Sequence, residues 1–460
     1  MASNRMENLP ETPLLDQLEQ GPWPSFVTDL KQLAASKAAV GQLLGQLEKS
    51  YRDRWDYWTG TVLNLSGYGG GVLARYSDLR DEFPEAAQFH TVRIIEPSGY
   101  VYSTEALREL CDISEEYSAG ILQLHGMTGD VLMLGSDNQA THAAGEALMS
   151  KGWDIGGSGG ALRTISCCIG PARCEMTCFD TLGLAKFLTD TFISELHRPE
   201  FPYKFKFKLS GCANDCAGSM MRSDLPLIGT WRDDIKVDQE AAAGFIEQNG
   251  EEFVIGNVVS RCPTRCISLR GGRLDINNDN CVHCMHCINV MHSALRPGDD
   301  RGATILIGGK RTLKIGDMFS SLLVPFMKMQ TQEDWDALVD LVRRIWDFWT
   351  EYALEHERVG EFIDRISMTS FLDGIGLEPD PRMVKEPRTN SYIKFEEYGP
   401  PRFHGEPPQP PNVVDREVIG PEADEAAGNP NRQSGADEAI PDGGNAGDAN
   451  KAGGGAKGAS

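Results

Sequence analysis

The run Cys281-Val-His-Cys284-Met-His-Cys287 is the feature that most constrains what this chain can form. The C-x2-C-x2-C spacing lets three thiolates of one tight loop reach three irons of a single cubane cluster. Iron–sulfur modules often supply the fourth thiolate from a Cys-Pro step, which here is Cys262-Pro263, and Cys266 is the alternative. Zinc sites usually pair two separated C-x2-C units, so the triplet fits zinc poorly. The run therefore predicts a ferredoxin-type [4Fe–4S] site.

A second cysteine group lies upstream. Cys168 and Cys174 form a C-x5-C pair, and about forty residues later Cys212 and Cys216 form a C-x3-C pair. The C-x3-C spacing is wider than that of zinc or ferredoxin loops, and it suits a site where one thiolate also bridges a cluster to another metal. Eleven of the twelve cysteines lie between positions 167 and 287, which favours metal binding or redox chemistry over a disulfide scaffold.

A basic strand is predicted between the two cysteine pairs. Residues 202–209 alternate with period two, so aromatic side chains face one way and Lys204, Lys206 and Lys208 face the other. The simple interpretation is a half-exposed strand with solvated lysines. Because the strand leads directly to Cys212, we expect the lysine face to point at the ligand of the cluster site. Three lysines within an acidic chain indicate a strongly anionic ligand.

Length and composition make several classes of protein unexpected. The chain has 460 residues and a formal net charge of −23. Nucleic-acid binders are normally basic or carry a basic stripe, so no nucleic-acid partner is expected. No apolar run reaches the roughly 18 residues that span a bilayer, and the first residues lack the apolar core of a secretory signal. We therefore expect a cytoplasmic protein that is not an integral membrane protein.

The local patterns predict an α+β fold built from several segments. Residues 1–60 are mostly helical in pattern, and residues 61–155 mix strand-like and helix-like runs. A long amphipathic helix with Thr331 as its N-cap is predicted to place its tryptophans, from Trp335 to Trp349, in the core rather than on a cofactor. The predicted domains are 1–160 (an α+β domain), 161–240 with 316–404 (the first cysteine group), 241–315 (an inserted ferredoxin module) and 405–460. The last segment is poor in apolar residues and is predicted to be a disordered tail.

Together these motifs resemble the sirohaem-containing sulfite and nitrite reductases. With a ferredoxin-type module inserted after the first cysteine group, the chain looks like the alpha subunits of dissimilatory sulfite reductases, over roughly residues 13–400. The resemblance implies a sirohaem sulfite/nitrite reductase-like fold with an inserted ferredoxin-like [4Fe–4S] module. Supporting segments are Leu15–Ser25, Phe89–Arg93, Leu196–Pro199, Ile228–Trp231 and Lys385–Asn390.

The resemblance also implies the cofactors and their ligands. One [4Fe–4S] cluster would be bound by Cys168, Cys174, Cys212 and Cys216, with Cys216 also the axial ligand of sirohaem iron. A second [4Fe–4S] cluster would be bound by Cys262, Cys281, Cys284 and Cys287. The remaining cysteines, Cys111, Cys167, Cys178 and Cys266, are expected to be buried small hydrophobic residues. His283 and His286 are expected to be exposed side chains rather than ligands.

The resemblance further assigns basic residues to the anionic ligands. Sirohaem carries eight carboxylates, and sulfite is an anion. Sulfite contacts are expected from Arg93, Arg163, Lys204 and Lys206, which would stabilise charge and supply protons. Macrocycle contacts are expected from Arg75, Lys208 and Arg222, although Arg75 and Arg222 could equally be surface charges. The glycine-rich stretches 67–71 and 125–130 are predicted either to approach the macrocycle or to be plain turns.

The implied function is the six-electron interconversion of sulfite and sulfide, in sulfite respiration or in reverse in sulfur oxidation. The implied partners are a homologous beta subunit in an α2β2 heterotetramer, a DsrC-like sulfur-carrier protein, and an electron donor or acceptor protein. The alternative is an electron-transfer and structural subunit whose ferredoxin module feeds a catalytic site in a partner chain. An assimilatory sulfite or nitrite reductase is disfavoured, because those enzymes lack the inserted module at this place.

Overall fold

The fold is given by a computed structural model, which describes residues 9–65, 68, 70–95, 97–125, 129–198, 200–312 and 316–380. The chain divides into two units, residues 1–391 and 392–460, and every described residue belongs to the first unit. The predicted disordered tail and the segment Lys385–Asn390 lie outside the described residues. No helix in the described ranges is long and apolar enough to cross a membrane.

Helices and strands alternate along the described chain. The α-helices are α1 (Phe26–Ala34), α2 (Ala38–Asp53), α3 (Thr104–Tyr117), α4 (Asn138–Ser150), α5 (Thr181–Thr191), α6 (Ile193–His197), α7 (Ser219–Arg222), α8 (Gln239–Asn249), α9 (Glu251–Val254), α10 (His286–Val290), α11 (Gln332–Tyr352), α12 (Val359–Ile366) and α13 (Met368–Gly374). The strands are β1 (Trp58–Asn64), β2 (Gly71–Ser77), β3 (His90–Ile95), β4 (Ile121–His125), β5 (Asp130–Ser136), β6 (Ser166–Cys167), β7 (Phe207–Ser210), β8 (Leu225–Trp231), β9 (Lys236–Val237), β10 (Ile267–Arg270), β11 (Arg273–Ile276), β12 (Leu295–Arg296), β13 (Arg301–Ile307), β14 (Lys310–Thr312), β15 (Gly316–Met318) and β16 (Ser321–Lys328).

The first sheet is antiparallel, with the strand order β1-β2-β3-β5-β4. Val92 and Met133 lie opposite each other and, with Val72, form an apolar face that packs with buried residues of α3 and α4. Side chains two positions apart along a strand share a face, so Arg93 and Asp130 lie together on the opposite face. The predicted strands and helices of residues 61–155 are confirmed.

Part of that opposite face is covered by the N-terminal helices. Ser25 caps α1, since its hydroxyl accepts a hydrogen bond from the Val27 N–H. Buried Leu30 and Leu44 pack with Phe89 in one apolar cluster. The polar part of the face, with Arg93 and Asp130, therefore lies apart from the helices and remains available for the candidate site.

The second sheet is mixed, with the strand order β16-β13-β8-β7-β6. Strands β6, β7 and β8 are parallel, and β13 is antiparallel to both β8 and β16. The long helix α11 begins at a capping box in which Thr331 and Asp334 exchange hydrogen bonds. Buried Trp346 and Trp349 of this helix join the core under the sheet, so the prediction of a core-facing stripe is confirmed.

A smaller region is inserted in the chain between β8 and β13 of the second sheet, and it is bounded by the paired strands β9 and β12. It contains α8, α9, the hairpin β10-β11 and α10, together with a π-helix at Ile255–Val259. Its apolar core includes Val254, Ile288 and Met291, and it continues into Trp231 of the second sheet. This shared core joins the two cysteine-bearing parts of the chain. The prediction of an α+β fold is confirmed by both sheets and their helices.

Candidate functional site

Two neighbouring parallel strands deliver the first cysteine group. Cys168 directly follows β6, and Cys212 lies just beyond the end of β7. The Cys168 N–H donates to the Leu209 carbonyl at 2.9 Å, and the Gly211 N–H donates to the Cys168 Sγ at 3.2 Å. Because the carboxyl ends of adjacent parallel strands meet at one edge, cysteines distant in sequence come together there.

A glycine makes this edge compact. A Cβ at Gly229 of β8 would lie 1.9 Å from the Gly211 carbonyl oxygen, so only glycine lets β8 approach the loop that carries Cys212. The next cysteine along the loop, Cys216, is exposed, whereas Cys212 is buried. The group therefore has a buried side and an accessible side.

The four thiols of this first group face one cavity of about 540 Å³. Such a volume is within the range of ligand pockets. Burial raises the pKa of Cys212 to about 11, and the neighbouring thiols Cys168, Cys174 and Cys216 oppose its ionisation further. A bound metal would displace these protons, since metals bind the thiolate. Four converging thiols on an open cavity fit an iron–sulfur cluster with room for a further ligand.

The second cysteine group lies on the smaller region. Cys262 follows the π-helix, Cys281 and Cys284 lie between β11 and α10, and Cys287 lies in the first turn of α10. Met285 and His283 have φ angles of 67° and 53°, which coil the loop tightly. The His283 N–H donates to the Cys281 Sγ at 3.4 Å, so loop amides already point at sulfur.

The cavity between these thiols is about 20 Å³, far smaller than the first. All four predicted ligands line it, and so does Cys266. The Cys266 Sγ lies 3.5 Å from the Cys262 Sγ and also contacts Cys281. Five thiols thus line this cavity, one more than a four-thiolate cluster requires.

The structure corrects the expectation for the two histidines. His283 and His286 are half-buried rather than exposed. The His283 ring packs against Trp231 at 4.4 Å between centroids, and burial lowers the pKa of His283. The His286 Nε2 lies 2.8 Å from the Asn257 carbonyl oxygen. Sequence reasoning missed these contacts because their partners lie on other elements.

The cysteines without a predicted ligand role are divided. Cys167, Cys178 and Cys266 are buried, as expected, and Cys111 on α3 is exposed, so that expectation was wrong. Cys111 follows the buried Leu110 in α3, and consecutive residues on a helix point about 100° apart, which turns Cys111 to solvent.

The predicted basic strand is shorter than residues 202–209 but keeps its two faces. Only Phe207–Ser210 forms a regular strand, β7. Upstream of it, Phe205 makes a single parallel bridge to Leu162. Phe205 and Phe207 are buried in the core under the second sheet. Lys204 and Lys206 lie on the other side, as the alternation predicted.

Arg93, Arg163, Lys204 and Lys206 come together, and we call them the cation cluster. Burial lowers the pKa of Arg163 to about 9, and Arg93 lowers it further. Burial also lowers the pKa of Lys204 to about 8 and that of Lys206 to about 7, with repulsion from nearby cations adding to each shift. The cluster thus brings four basic groups into surroundings that disfavour the charged forms of Arg163, Lys204 and Lys206.

Two arginines of this region are held by named partners. The Arg163 guanidinium donates to the carbonyls of Ala161 at 2.8 Å and Gly159 at 2.9 Å. Arg93 forms a buried ion pair with Asp130, which also accepts a hydrogen bond from the Thr164 hydroxyl. These contacts orient the guanidinium groups before any ligand binds.

Charged residues that sequence reasoning missed support the cation cluster. Arg358, at the start of α12, donates from Nε to the Asp224 Oδ1 at 2.7 Å, and both side chains are buried. Asp224 donates its N–H at 3.0 Å to the carbonyl of Lys206. Asp224 stands directly before the apolar strand Leu225–Trp231, and a buried carboxylate needs a partner. This position was the signal in the sequence that could have predicted a buried ion pair.

The remaining predicted contacts are placed differently. Lys208 is buried, and its Nζ donates at 3.0 Å to the Ala217 carbonyl, next to Cys216. Arg75 is exposed on β2, beyond Arg93 on the same face of the first sheet. Arg222 ends α7 and is half-buried. Of the glycine-rich stretches, positions 67, 69 and 126–128 lie outside the described residues.

The two cysteine regions contact each other through three named links. The Asn214 and Asn289 side-chain amides bond reciprocally at 2.9 and 2.6 Å, and Trp231 packs on His283. Arg301 donates to the carbonyls of Thr177 at 3.1 Å and Pro297 at 3.2 Å. The asparagine pair starts from the C-x3-C loop, and the other two contacts join neighbouring parts of the two regions.

Comparison with protein families matches residues 158–380 to the nitrite and sulphite reductase 4Fe-4S domain. The matched range includes both cysteine groups and three members of the cation cluster. The first sheet and the N-terminal helices precede it.

Relatives cover most of the chain. It is 50% identical to the dissimilatory-type sulfite reductase alpha subunit of Allochromatium vinosum, over 84% of this chain and 94% of that protein. It is 44% identical to the alpha subunit of Nitratidesulfovibrio vulgaris, again over 84% of this chain and 94% of that protein. The crystal structure of dissimilatory sulfite reductase I (DsrI) superposes with a TM-score of 0.78 and 40% identity, over 86% of this chain and 98% of that chain.

More distant similarity extends to a second kind of subunit. The dissimilatory-type sulfite reductase beta subunit of Nitratidesulfovibrio vulgaris is 24% identical over 71% of this chain and 85% of that protein. The two kinds of subunit are therefore homologous.

Proposed function

The chain belongs to the family of dissimilatory sulfite reductase alpha subunits, oxidoreductases that act on sulfur compounds, and from this we propose how its residues divide the work. We propose that it binds sirohaem and two [4Fe–4S] clusters and takes part in the six-electron interconversion of sulfite and sulfide. The observation that carries this proposal is the first cysteine group, whose four thiols line one large cavity at the end of the strand that Lys204 and Lys206 precede.

We assign one cluster to Cys168, Cys174, Cys212 and Cys216, with Cys216 shared with sirohaem iron. Cys216 supports this because it is the exposed member of the group. When bound, the coupled sirohaem and cluster supply the electrons and the iron that binds sulfur. We assign contacts with the macrocycle carboxylates to Lys208, Arg75 and Arg222, which lie outside the cation cluster.

The cation cluster would bind sulfite and supply protons. Arg93 and Arg163 are buried and held by hydrogen bonds, so they suit charge stabilisation without reorganisation. Lys206, with a pKa lowered to about 7, exchanges a proton readily near neutral pH. Lys204, with a pKa lowered to about 8, is suited to return that proton from the solvent side. Each departing oxygen of sulfite could thus leave as water.

We assign the second cluster to Cys262, Cys281, Cys284 and Cys287. We propose that this cluster transfers electrons to the first site. The small cavity leaves no room for substrate, and Cys284 is exposed toward a redox partner. The alternative is that this chain only transfers electrons to a catalytic site in its partner. The cation cluster favours a direct catalytic role, because an electron conduit has no need of half-buried lysines with lowered pKa values.

We further propose the assembly and the domain limits. The homology with beta subunits supports an α2β2 heterotetramer, and a DsrC-like sulfur carrier and an electron-transfer protein complete a cytoplasmic system. We keep the four predicted segments and change one limit. Because β13 pairs with β8 in the second sheet, we now propose that the ferredoxin module ends before Arg301 rather than at residue 315.

The test is the visible absorption spectrum of the anaerobically purified protein, co-expressed with its beta subunit, with iron and acid-labile sulfide analysis. We expect sirohaem bands and iron for two clusters per chain. Broad iron–sulfur absorption without a tetrapyrrole band would favour the electron-transfer alternative. A colourless protein containing zinc would contradict both assignments.

A further inference from the structure

The second cysteine group holds one thiol more than a cluster requires. The Sγ atoms of Cys262 and Cys266 are 3.5 Å apart, which is van der Waals contact between two sulfurs. The Cys266 N–H also donates to the Cys262 Sγ at 3.4 Å. Cys266 therefore lies beside the thiol that we assign as the fourth ligand, not at a distant point of the core.

The backbone holds these two thiols together. Arg265 adopts a left-handed conformation with φ 52°, and its N–H donates to the Cys262 carbonyl at 3.1 Å. This turn folds the chain back on itself. The Cys266 carbonyl accepts from the Asn277 N–H at 2.8 Å, and Ile267 starts the hairpin β10-β11. The contact is thus built into the turn and anchored by the hairpin.

We propose that Cys262 and Cys266 form a reversible disulfide when the second cluster is lost. This rests on the proposed function only in taking Cys262 as a cluster ligand. The two thiols lose two protons and two electrons to dioxygen, which is reduced to hydrogen peroxide, and one S–S bond forms. The sulfurs must approach from 3.5 Å to about 2.05 Å, which side-chain rotation within the turn provides.

The disulfide would protect the cluster site. A free cysteine near oxidants passes through sulfenic acid to sulfinic acid, which is not reduced by ordinary thiols, whereas a disulfide is. Cys266 would capture Cys262 before that step, and a reductant would restore the ligand for cluster assembly. The site would then tolerate cluster loss that otherwise ends in irreversible damage.

The sequence allows a direct chemical test. Arg261, Arg265 and Arg270 flank the two cysteines, so trypsin separates residues 262–265 from residues 266–270. The protein with its beta subunit would be exposed to air until cluster absorption is lost, alkylated and digested. We expect these two peptides to appear joined, two hydrogens lighter than their sum, and to separate after dithiothreitol. Cys262 linked instead to Cys281 or Cys284, or found mainly as sulfinic acid, would overturn the proposal.

Variants separate protection from packing. With Cys266→Ala we expect no joined peptide, more sulfinic acid at Cys262, and several-fold lower recovery of cluster absorption after reduction with iron and sulfide. Cys266→Val keeps more of the buried volume and should behave like Cys266→Ala. Cys178→Ala is the matched control, because Cys178 is also a buried spare thiol, and should recover like the unaltered protein. Equal recovery in all variants would refute a protective role.

The outcome is independent of the proposed function. If the anaerobic protein contains iron for both clusters but yields no joined peptide after oxidation, only the disulfide proposal fails. If the joined peptide forms but the anaerobic protein never contains iron for a second cluster, the disulfide stands and the second cluster assignment fails.

Discussion

Both cysteine groups present their four predicted ligands to one cavity, yet their surroundings differ sharply. The first group faces a cavity of about 540 Å³ and lies on the second sheet, the sheet whose strand β7 leads from the lysines. The second group encloses about 20 Å³ within an apolar core. The first cavity has space for a ligand besides a cluster. The second cavity has no such space.

The difference shows that ligand spacing does not determine what a cluster does. Thiolates from either group would bind the same kind of cluster, and the second coordination environment separates chemistry from electron transfer. Before the strand that leads to the first group, Lys204 and Lys206 are half-buried and have lowered pKa values. Beside the second group, His283 packs on Trp231.

The largest effect is expected for Cys216→Ser in the first group. Serine replaces the thiolate that we assign to both the cluster and sirohaem iron, so sulfite reduction should fall by at least about a hundredfold, the scale of losing a tuned metal environment. Sirohaem absorption should shift, and the electron paramagnetic resonance signal of the second cluster should persist. Unchanged sirohaem bands would show that Cys216 is not the shared ligand.

Cys284→Ser tests the second group in the same way. We expect the second cluster to be lost or altered while the sirohaem bands remain. Sulfite reduction should fall several-fold with a protein electron donor and less with a small-molecule donor that reaches the first site directly. Cys111→Ser is the control, because Cys111 is exposed on α3. If Cys284→Ser removed sirohaem while Cys216→Ser did not, the roles of the two groups would be reversed.

A smaller effect is expected from the half-buried lysines of the cation cluster. Burial first, then repulsion from Arg358 and Lys204, lowers the pKa of Lys206 from 10.5 to about 7. Between those values the unfolded chain keeps a proton that the folded chain releases, so stability rises with pH across this window. Below about pH 7 both states are protonated, and the full cost of burying the charge is present.

We therefore expect Lys206→Met to raise the melting temperature of the cofactor-free chain near pH 7 and to flatten its increase at higher pH. A change of about 2–4 °C per kcal/mol is the scale for large domains. Lys186→Met is the control, because Lys186 is exposed beside Asp190. The pH dependence should shrink when anionic sirohaem is bound. If the melting temperature of Lys206→Met changed with pH in parallel with that of the unaltered protein, burial of the Lys206 charge would not destabilise the fold.

The sequence predicted the features that local patterns determine, and it missed those that depend on contacts between residues distant in the chain. Alternation placed Lys204 and Lys206 on one side, and helical spacing placed Trp346 and Trp349 in the core. Ligand spacing predicted the two thiol groups. The Arg358–Asp224 pair escaped because its partners are 134 residues apart. This pair depends on how α12 packs on the second sheet, and the periodicity of the sequence does not predict that packing.

The smallest expected effect concerns the link between the two groups. Asn214 lies between Cys212 and Cys216, and Asn289 lies two residues after Cys287. Their two amide hydrogen bonds, at 2.9 and 2.6 Å, are exposed, so water competes for both, and we expect each single alanine variant to cost about 1 kcal/mol or less.

A double-mutant cycle on Asn214→Ala and Asn289→Ala isolates this link, because contacting residues show non-additive costs whereas distant ones add. Asn249→Ala is the matched control, since its amide bonds only the Phe245 carbonyl of its own helix, at 2.9 Å. We expect measurable coupling for the Asn214–Asn289 pair and none with Asn249, with magnetic coupling between the two reduced clusters weakened in the double variant. If the pair is additive and the magnetic coupling unchanged, the contact of Trp231 with His283 and the shared apolar core keep the two groups in place without the asparagine pair.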